Sequence, residues 1–368
     1  MIRRSIAVLA TALAFPSFGS AQAASYDGTY FVHGFNDGPL RFVNTASALR
    51  ARGVDLKAVL SPSLSRTETV ATQAGQLRSI QNSYLWYSDS TILVGHSMGG
   101  LTSRQSYLGN PANIAGIVTM GTPHQGAPVA VGGPRFARHM GVVSARTVRG
   151  IFGWASYLPF AGPIVRMVLN VAASDIGIIS NSVTGHITTM NGASTPGAAD
   201  LRPTSATIQS LSAARADGVL PRANVVGEIP YRHAVWHVLA SAQRNDGLAD
   251  GYIRTRTLVK SYAKTCKHVA YATVIFWAQG RECSKLDRAI SRIDDIWLGS
   301  VNGYQTNGGS RRVAFDGFIP QDHSVYPSTQ LVTTRRALGA NHNNLTYDPR
   351  GVVALDEALT LVGVKRIP

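Results

Sequence analysis

The chain has 368 residues, 45% apolar and 15% charged, with 35 Lys and Arg against 20 Asp and Glu, a formal charge of +15. That length buries a full core, as one large domain with insertions or as two domains, and beyond the N-terminus no apolar run is long enough to span a bilayer. The cations are scattered (Arg41, Arg50, Arg52, Arg135, Arg138, Arg146, Arg149) without a basic run or a nucleic-acid module, so they read as a solvated surface and exclude nucleic acid as an expected partner.

The chain opens MIRRSIAVLATALAFPSFGSAQAAS, with Arg3 and Arg4, an apolar stretch from Ser5 to Phe15, and Ala21-Gln22-Ala23. This is the pattern of an export signal over residues 1–24, cleaved near Ala23, which predicts a secreted or periplasmic protein. Thr29 to His33 predicts a strand running into Gly34, residues 41–52 a helix, and Val54 to Leu60 a second strand. A long helix follows over Thr67 to Tyr84, then strands at Thr91 to Val94 and Ile114 to Met120. Alternating β and α segments with continuously apolar strands predict a mostly parallel sheet with helices on both faces.

A helical insertion is expected over about residues 125–223, rich in Gly, Ala, Ser and Pro. Within it Ile151 to Val171 is unusually apolar, and reads either as a core helix pair or as a lid presenting apolar surface to a lipid-like substrate. Asn224 to Gly227 looks like the sheet resuming. A second helical insertion over about 232–312 has helical stretches around 255–275 and 284–299 and carries both cysteines, Cys266 and Cys283. In an oxidising compartment such a pair forms one disulfide; two buried free thiols are the alternative. Val352 to Leu361 predicts a final apolar helix.

The chemistry begins at TILVGHSMGG, residues 91–100. Gly95-His96-Ser97-Met98-Gly99 completes G-x-S-x-G between a strand and a helix, which holds Ser97 at the apex of a strained turn with its hydroxyl exposed. A serine hydroxyl needs a base to take its proton, a third group to orient that base, and donors aimed at the developing oxyanion. Gly34 lets the backbone after the first strand come close, so the N–H groups of Phe35 and Met98 are the candidate oxyanion donors. Of ten histidines only His323 and His342 lie beyond the second insertion, and His342 sits in a polar, flexible loop before the last helix. Two Asp-Gly turns offer an acid. Asp316 follows a short strand 26 residues before His342, and Asp246 follows what reads as a strand nearly a hundred residues before it; Asp250 is a third choice.

Five segments together carry a resemblance: FVHGFNDG (31–38), ILVGHSMGG (92–100), VTMGTPHQGAP (118–128), DGFIPQDHSVYP (316–327) and NHNNL (341–345). The chain resembles the α/β-hydrolase superfamily in its secreted bacterial lipase and esterase branch, and is similar to triacylglycerol lipases and PGAP1-like acyl-ester hydrolases. The resemblance covers most of residues 28–368, while the two insertions match nothing. It implies an α/β-hydrolase fold over residues 25–368 with Ser97 as nucleophile, His342 as base, and an acid in an Asp-Gly-x-[VI]-Pro turn, which Asp316 matches better than Asp246. It also implies Phe35 and Met98 as oxyanion donors and a structural His124. Some members bind calcium through aspartates, but no loop of that type is present, so no metal and no cofactor are expected. The expected activity is ester hydrolysis on lipid or other acyl esters, with transient contact with a lipid interface. An acyltransferase with the same triad and a non-catalytic binding homologue are the alternatives.

Overall fold

The computed structural model describes residues 26–83, 90–109, 111–155, 195–213, 220–272, 277–302, 313–326 and 332–367. Residues 1–25, which hold the expected export signal, and residues 156–171 of the apolar segment lie outside them. Six strands form one parallel sheet in the order β2-β1-β3-β4-β5-β6: β1 Gly28–Val32, β2 Ala58–Leu60, β3 Thr91–His96, β4 Ile114–Met120, β5 Arg222–Glu228 and β6 Thr333–Leu338. β1, β3 and β4 are buried along their whole length, as strands covered on both faces must be.

Successive side chains go to opposite faces. Phe31, Ile92, Val94 and Val118 pack with Leu49 of α1 (Val43–Ala51) and with Leu355 and Leu359 of α12 (Pro349–Leu361). Tyr30, Val32, Leu93 and Ile117 pack on the other face with Leu77 of α2 (Val70–Ser83) and Tyr107 of α3 (Met98–Gly109). The two long connections are both helical. β4 to β5 carries α4 (Val129–Ala155), α5 (Pro196–Asp200) and α6 (Ala206–Ala213). β5 to β6 carries α7 (Ala234–Ala242), α8 (Leu248–Ala272), α9 (Trp277–Ser291), α10 (Ile293–Val301) and α11 (Gln321–Ser324).

Several boundaries differ from the sequence reading. The second strand starts at Ala58, not Val54, because Lys57 takes a left-handed φ of 53° and turns the chain, while Val54 forms an antiparallel bridge with Arg366. The long helix starts at Val70 because the Thr69 hydroxyl accepts the Thr72 N–H and caps it. α8 begins at Leu248, well before 255, and the second expected stretch divides at Arg292 into α9 and α10. No strand precedes Asp316 among the described residues; Phe315 makes only an isolated bridge to Pro320. Asp246 follows α7, a helix rather than a strand.

Candidate active site

β3 leads into α3 through Ser97 alone, which has φ 55° in the left-handed region that L side chains disfavour. The turn is held by the Ser97 N–H donating to Met120 O at 2.8 Å and by Gly100 N–H donating to Ser97 O at 3.0 Å. The motif glycines are steric necessities. A Cβ on Gly95 would lie 2.5 Å from the Gly100 backbone, and one on Gly99 would lie 2.2 Å from Val32 O. The helix therefore seats directly on β1 and β3, which lifts the serine above the C-terminal edge of the sheet. Gly34 does the same for the loop after β1: a Cβ there would come within 2.9 Å of Ser97 Cβ.

His342 Nε2 lies 3.0 Å from Ser97 Oγ, and His342 Nδ1 lies 2.7 Å from Asp316 Oδ2. The other carboxylate oxygen, Oδ1, accepts the N–H groups of Phe318 at 2.9 Å and Ile319 at 2.7 Å. With two backbone donors and a ring N–H on it, the carboxylate is satisfied as an anion although only 2% of Asp316 is exposed. An acceptor at Nδ1 puts the proton there and leaves the Nε2 lone pair toward Ser97. The His342 N–H also donates to Asp316 O at 2.7 Å, tying the two residues together through the main chain as well.

Asp316 reaches this position because the β5–β6 connection returns to where it left. The Ile229 N–H, just past β5, donates to Phe315 O at 3.0 Å, and a Cβ on Gly227 would sit 3.1 Å from Asp316 Cβ. Space beside β5 thus replaces nearness in sequence. Asp246 lies on the exposed link between α7 and α8, where its carboxylate meets Asn344 Nδ2 at 3.3 Å and Tyr347 Oη at 3.5 Å, while Asp250 is exposed in the first turn of α8.

The loop carrying His342 is braced rather than flexible. Asn341 Oδ1 accepts the N–H groups of Asn343 at 3.0 Å and Asn344 at 3.1 Å and the Ser241 hydroxyl at 2.8 Å, while Asn344 Oδ1 accepts the Asn341 N–H at 2.7 Å. Asn343 Nδ2 donates to Val238 O at 3.1 Å, so α7 holds this loop from outside. The Asn-x-x-Asn spacing around the histidine is the one signal in the sequence that pointed to such bracing.

Sequence reading missed His96. Its Nε2 donates to His342 O at 2.8 Å, and the two rings lie 5.0 Å apart between centroids. Burial, reinforced by the nearby His342 and Arg41, pushes its pKa well below the ordinary histidine value, so it stays neutral. His124 is structural: Arg104 donates to its Nδ1 at 3.3 Å, its Nε2 meets Thr119 Oγ1 at 3.1 Å, and burial also keeps it neutral. His323 Nδ1 donates to Gly126 O at 2.7 Å, away from the serine.

Above Ser97 and His342 opens a cleft of ≈ 180 Å³. Phe35, Leu201, Phe318 and Ile319 give it apolar walls, and Arg41 and Arg244 line it too, with Arg41 Nε 2.5 Å from Asp37 Oδ2. Met98 is the first residue of α3, where N–H groups have no intrahelical partner, and Phe35 borders the cleft beside Gly34.

Residues 57–142 match the model of the PGAP1-like alpha/beta domain, a segment that contains the Ser97 elbow and ends before Asp316 and His342. No curated protein matches the chain by sequence. Among solved structures, the mature form of Bacillus licheniformis lipase BlEst2 is 12% identical over 92% of this chain and 93% of its own, with a TM-score of 0.47. A pyrethroid hydrolase from Sphingobium faniae JZ-2 is 18% identical over 29% of this chain and 45% of its own, with a TM-score of 0.24. With sheet order, elbow and matched segment in agreement, the chain has the α/β-hydrolase fold and contains a segment similar to the PGAP1-like alpha/beta domain.

Proposed function

We propose that the protein is a serine carboxylester hydrolase acting on lipid or other acyl esters. The observation that carries this reading is the unbroken line from Asp316 Oδ2 through the His342 ring to Ser97 Oγ, at 2.7 and 3.0 Å, opening into an apolar-walled cleft. Ser97 Oγ attacks the ester carbonyl carbon while His342 Nε2 takes the hydroxyl proton and Asp316 holds the resulting imidazolium. The Phe35 and Met98 N–H groups receive the negative charge on the carbonyl oxygen. Collapse of the tetrahedral species expels the alcohol, which takes the proton from His342 and leaves Ser97 acylated. Water then attacks the acyl carbon, gives its proton to His342, and the acid departs as Ser97 recovers its hydrogen.

The two helical connections act as caps in this reading, since Leu201 comes from one and Arg244 and Phe318 from the other. The Cys266–Cys283 disulfide agrees with export into an oxidising compartment after removal of residues 1–24. Fluorophosphonate labelling tests the reading: the full chain should be labelled and should turn over p-nitrophenyl esters, and Ser97→Ala should do neither. An unlabelled, inactive wild-type protein would make it a binding homologue.

A further inference from the structure

The β5–β6 connection carries a feature that the chemistry at Ser97 does not use. α8 and α9 lie against each other, cross-linked by Cys266–Cys283 with Cα atoms 6.0 Å apart. Where α8 ends and α9 begins stand two aromatic side chains, Tyr271 and Trp277, their ring centroids 6.2 Å apart and edge-on. Tyr271 is 38% exposed and Trp277 58%. Gly280 makes the pairing fit, because a Cβ there would lie 3.0 Å from the Tyr271 ring. Two adjacent large aromatics left in water form a patch, not the scattered exposure common to any surface.

The charges near the pair are sorted. Residues 268–280 contain no Asp, Glu, Lys or Arg, and the flanking segments supply Lys264 and Lys267 on α8 and Arg281 and Lys285 on α9. From Lys260 to Lys285 the one carboxylate is Glu282, which binds Lys285 at 2.6 Å. Lys267 precedes Tyr271 by four residues and Arg281 follows Trp277 by four, so each cation shares a helix face with its aromatic. At about 1.5 Å of rise per residue, the cations lie about 6 Å from the aromatic level, and about 10 Å for Lys264. That layering matches a bilayer surface, with amphipathic rings at the boundary of headgroup and acyl chain and cations at the phosphates.

We propose that the disulfide-braced α8–α9 end is a docking surface for an anionic lipid bilayer, with Tyr271 and Trp277 entering the interface and Lys264, Lys267 and Arg281 lying against lipid phosphates. A second copy of the chain is a poor occupant, since a two-fold contact through this patch would press cations against cations. The surface is independent of the reaction assigned to Ser97, and its test is arranged accordingly.

Vesicles of non-hydrolysable diether phosphatidylcholine, with or without diether phosphatidylglycerol, are sedimented with the full chain. Binding to phosphatidylglycerol vesicles is expected, weakening as salt rises, with far less on phosphatidylcholine alone. Replacing two cations, Lys264→Gln with Arg281→Gln, should weaken it about thirty-fold, at about five-fold per cation. Trp277→Ser with Tyr271→Ser should weaken it at least about ten-fold, and the charge variant decides if the aromatic variant fails to fold by near-UV circular dichroism. Ser97→Ala should bind as wild type, so loss of hydrolysis and loss of docking are separate results. Wild-type protein that ignores both vesicles, or variants that bind as tightly as wild type, overturn the proposal. So does a wild-type dimer that Trp277→Ser converts to monomer, because the patch is then covered by a second copy.

Discussion

Ser97, His342 and Asp316 illustrate how differently three residues of one site depend on their surroundings. Ser97 is positioned by its immediate neighbours, two glycines whose absent side chains let α3 sit against β1 and β3. His342 is positioned by a network of asparagines and by the neutral ring of His96 beneath its carbonyl. Asp316 is positioned by its own turn, in which Phe318 and Ile319 point their N–H groups at Oδ1. Replacing an acid that orients the base leaves the ring free to take the wrong tautomer. Asp316→Asn is therefore expected to reduce kcat on a soluble ester by about 10⁴-fold. Asp246→Asn should leave turnover within a few-fold, because its carboxylate meets Asn344 and Tyr347 at an exposed site. The reverse ranking would reassign the acid.

Among the elements, strands β1 to β5 and the flanking helices α2, α3 and α12 follow from the apolar pattern, whereas the long connections and β6, whose residues Thr333–Leu338 are mostly exposed, do not. Helical stretches around 255–275 and 284–299 were legible, but the break at Arg292 and the early start of α8 were not, since amphipathic spacing continues through both. Periodicity reports which residues face a neighbour, not where a helix stops. The α8–α9 pair also shows what a single cross-link does: Cys266 and Cys283, separated by 17 in sequence, close a short loop between the two helices. Cys266→Ser with Cys283→Ser should cost this pair about 3 kcal/mol. Hydrogen exchange is expected to show lost protection in α8 and α9 with β1, β3 and β4 unchanged. Uniform loss across the sheet would mean that the cross-link stabilises the entire fold.

At the scale of the whole molecule, three buried histidines other than His342 tie stability to pH. Burial holds His33, His96 and His124 below the ordinary value, with Arg104 adding to the effect at His124. His33 accepts the Leu64 N–H on Nε2 at 3.2 Å and donates from Nδ1 to Gly34 O at 3.0 Å, an arrangement that needs the neutral ring. Below the unfolded value of about 6.5 the unfolded chain binds protons that the folded chain refuses. The stability is intact above that pH and falls as the pH drops through it, by as much as about 1.4 kcal/mol per pH unit for each histidine. Urea unfolding should therefore show a lower midpoint at about pH 5.5 than at about pH 7.5. An unchanged midpoint would mean that these rings accept protons without unfolding.

The local features of this protein are set by sequence alone. A strand, a serine between glycines and a helix need only neighbours within a few residues, so the elbow and the parallel sheet around it were legible. What the tertiary structure decided is which distant pieces meet. The connection after β5 leaves at Ile229 and returns at Phe315, α7 from inside it braces the histidine loop, and His96 supports His342 from across the sheet edge. Such contacts join residues from about 86 to 246 apart, where loop closure costs little more for a long insertion than for a short one. Spacing along the chain therefore carries almost no information about them, and packing against the sheet carries nearly all of it.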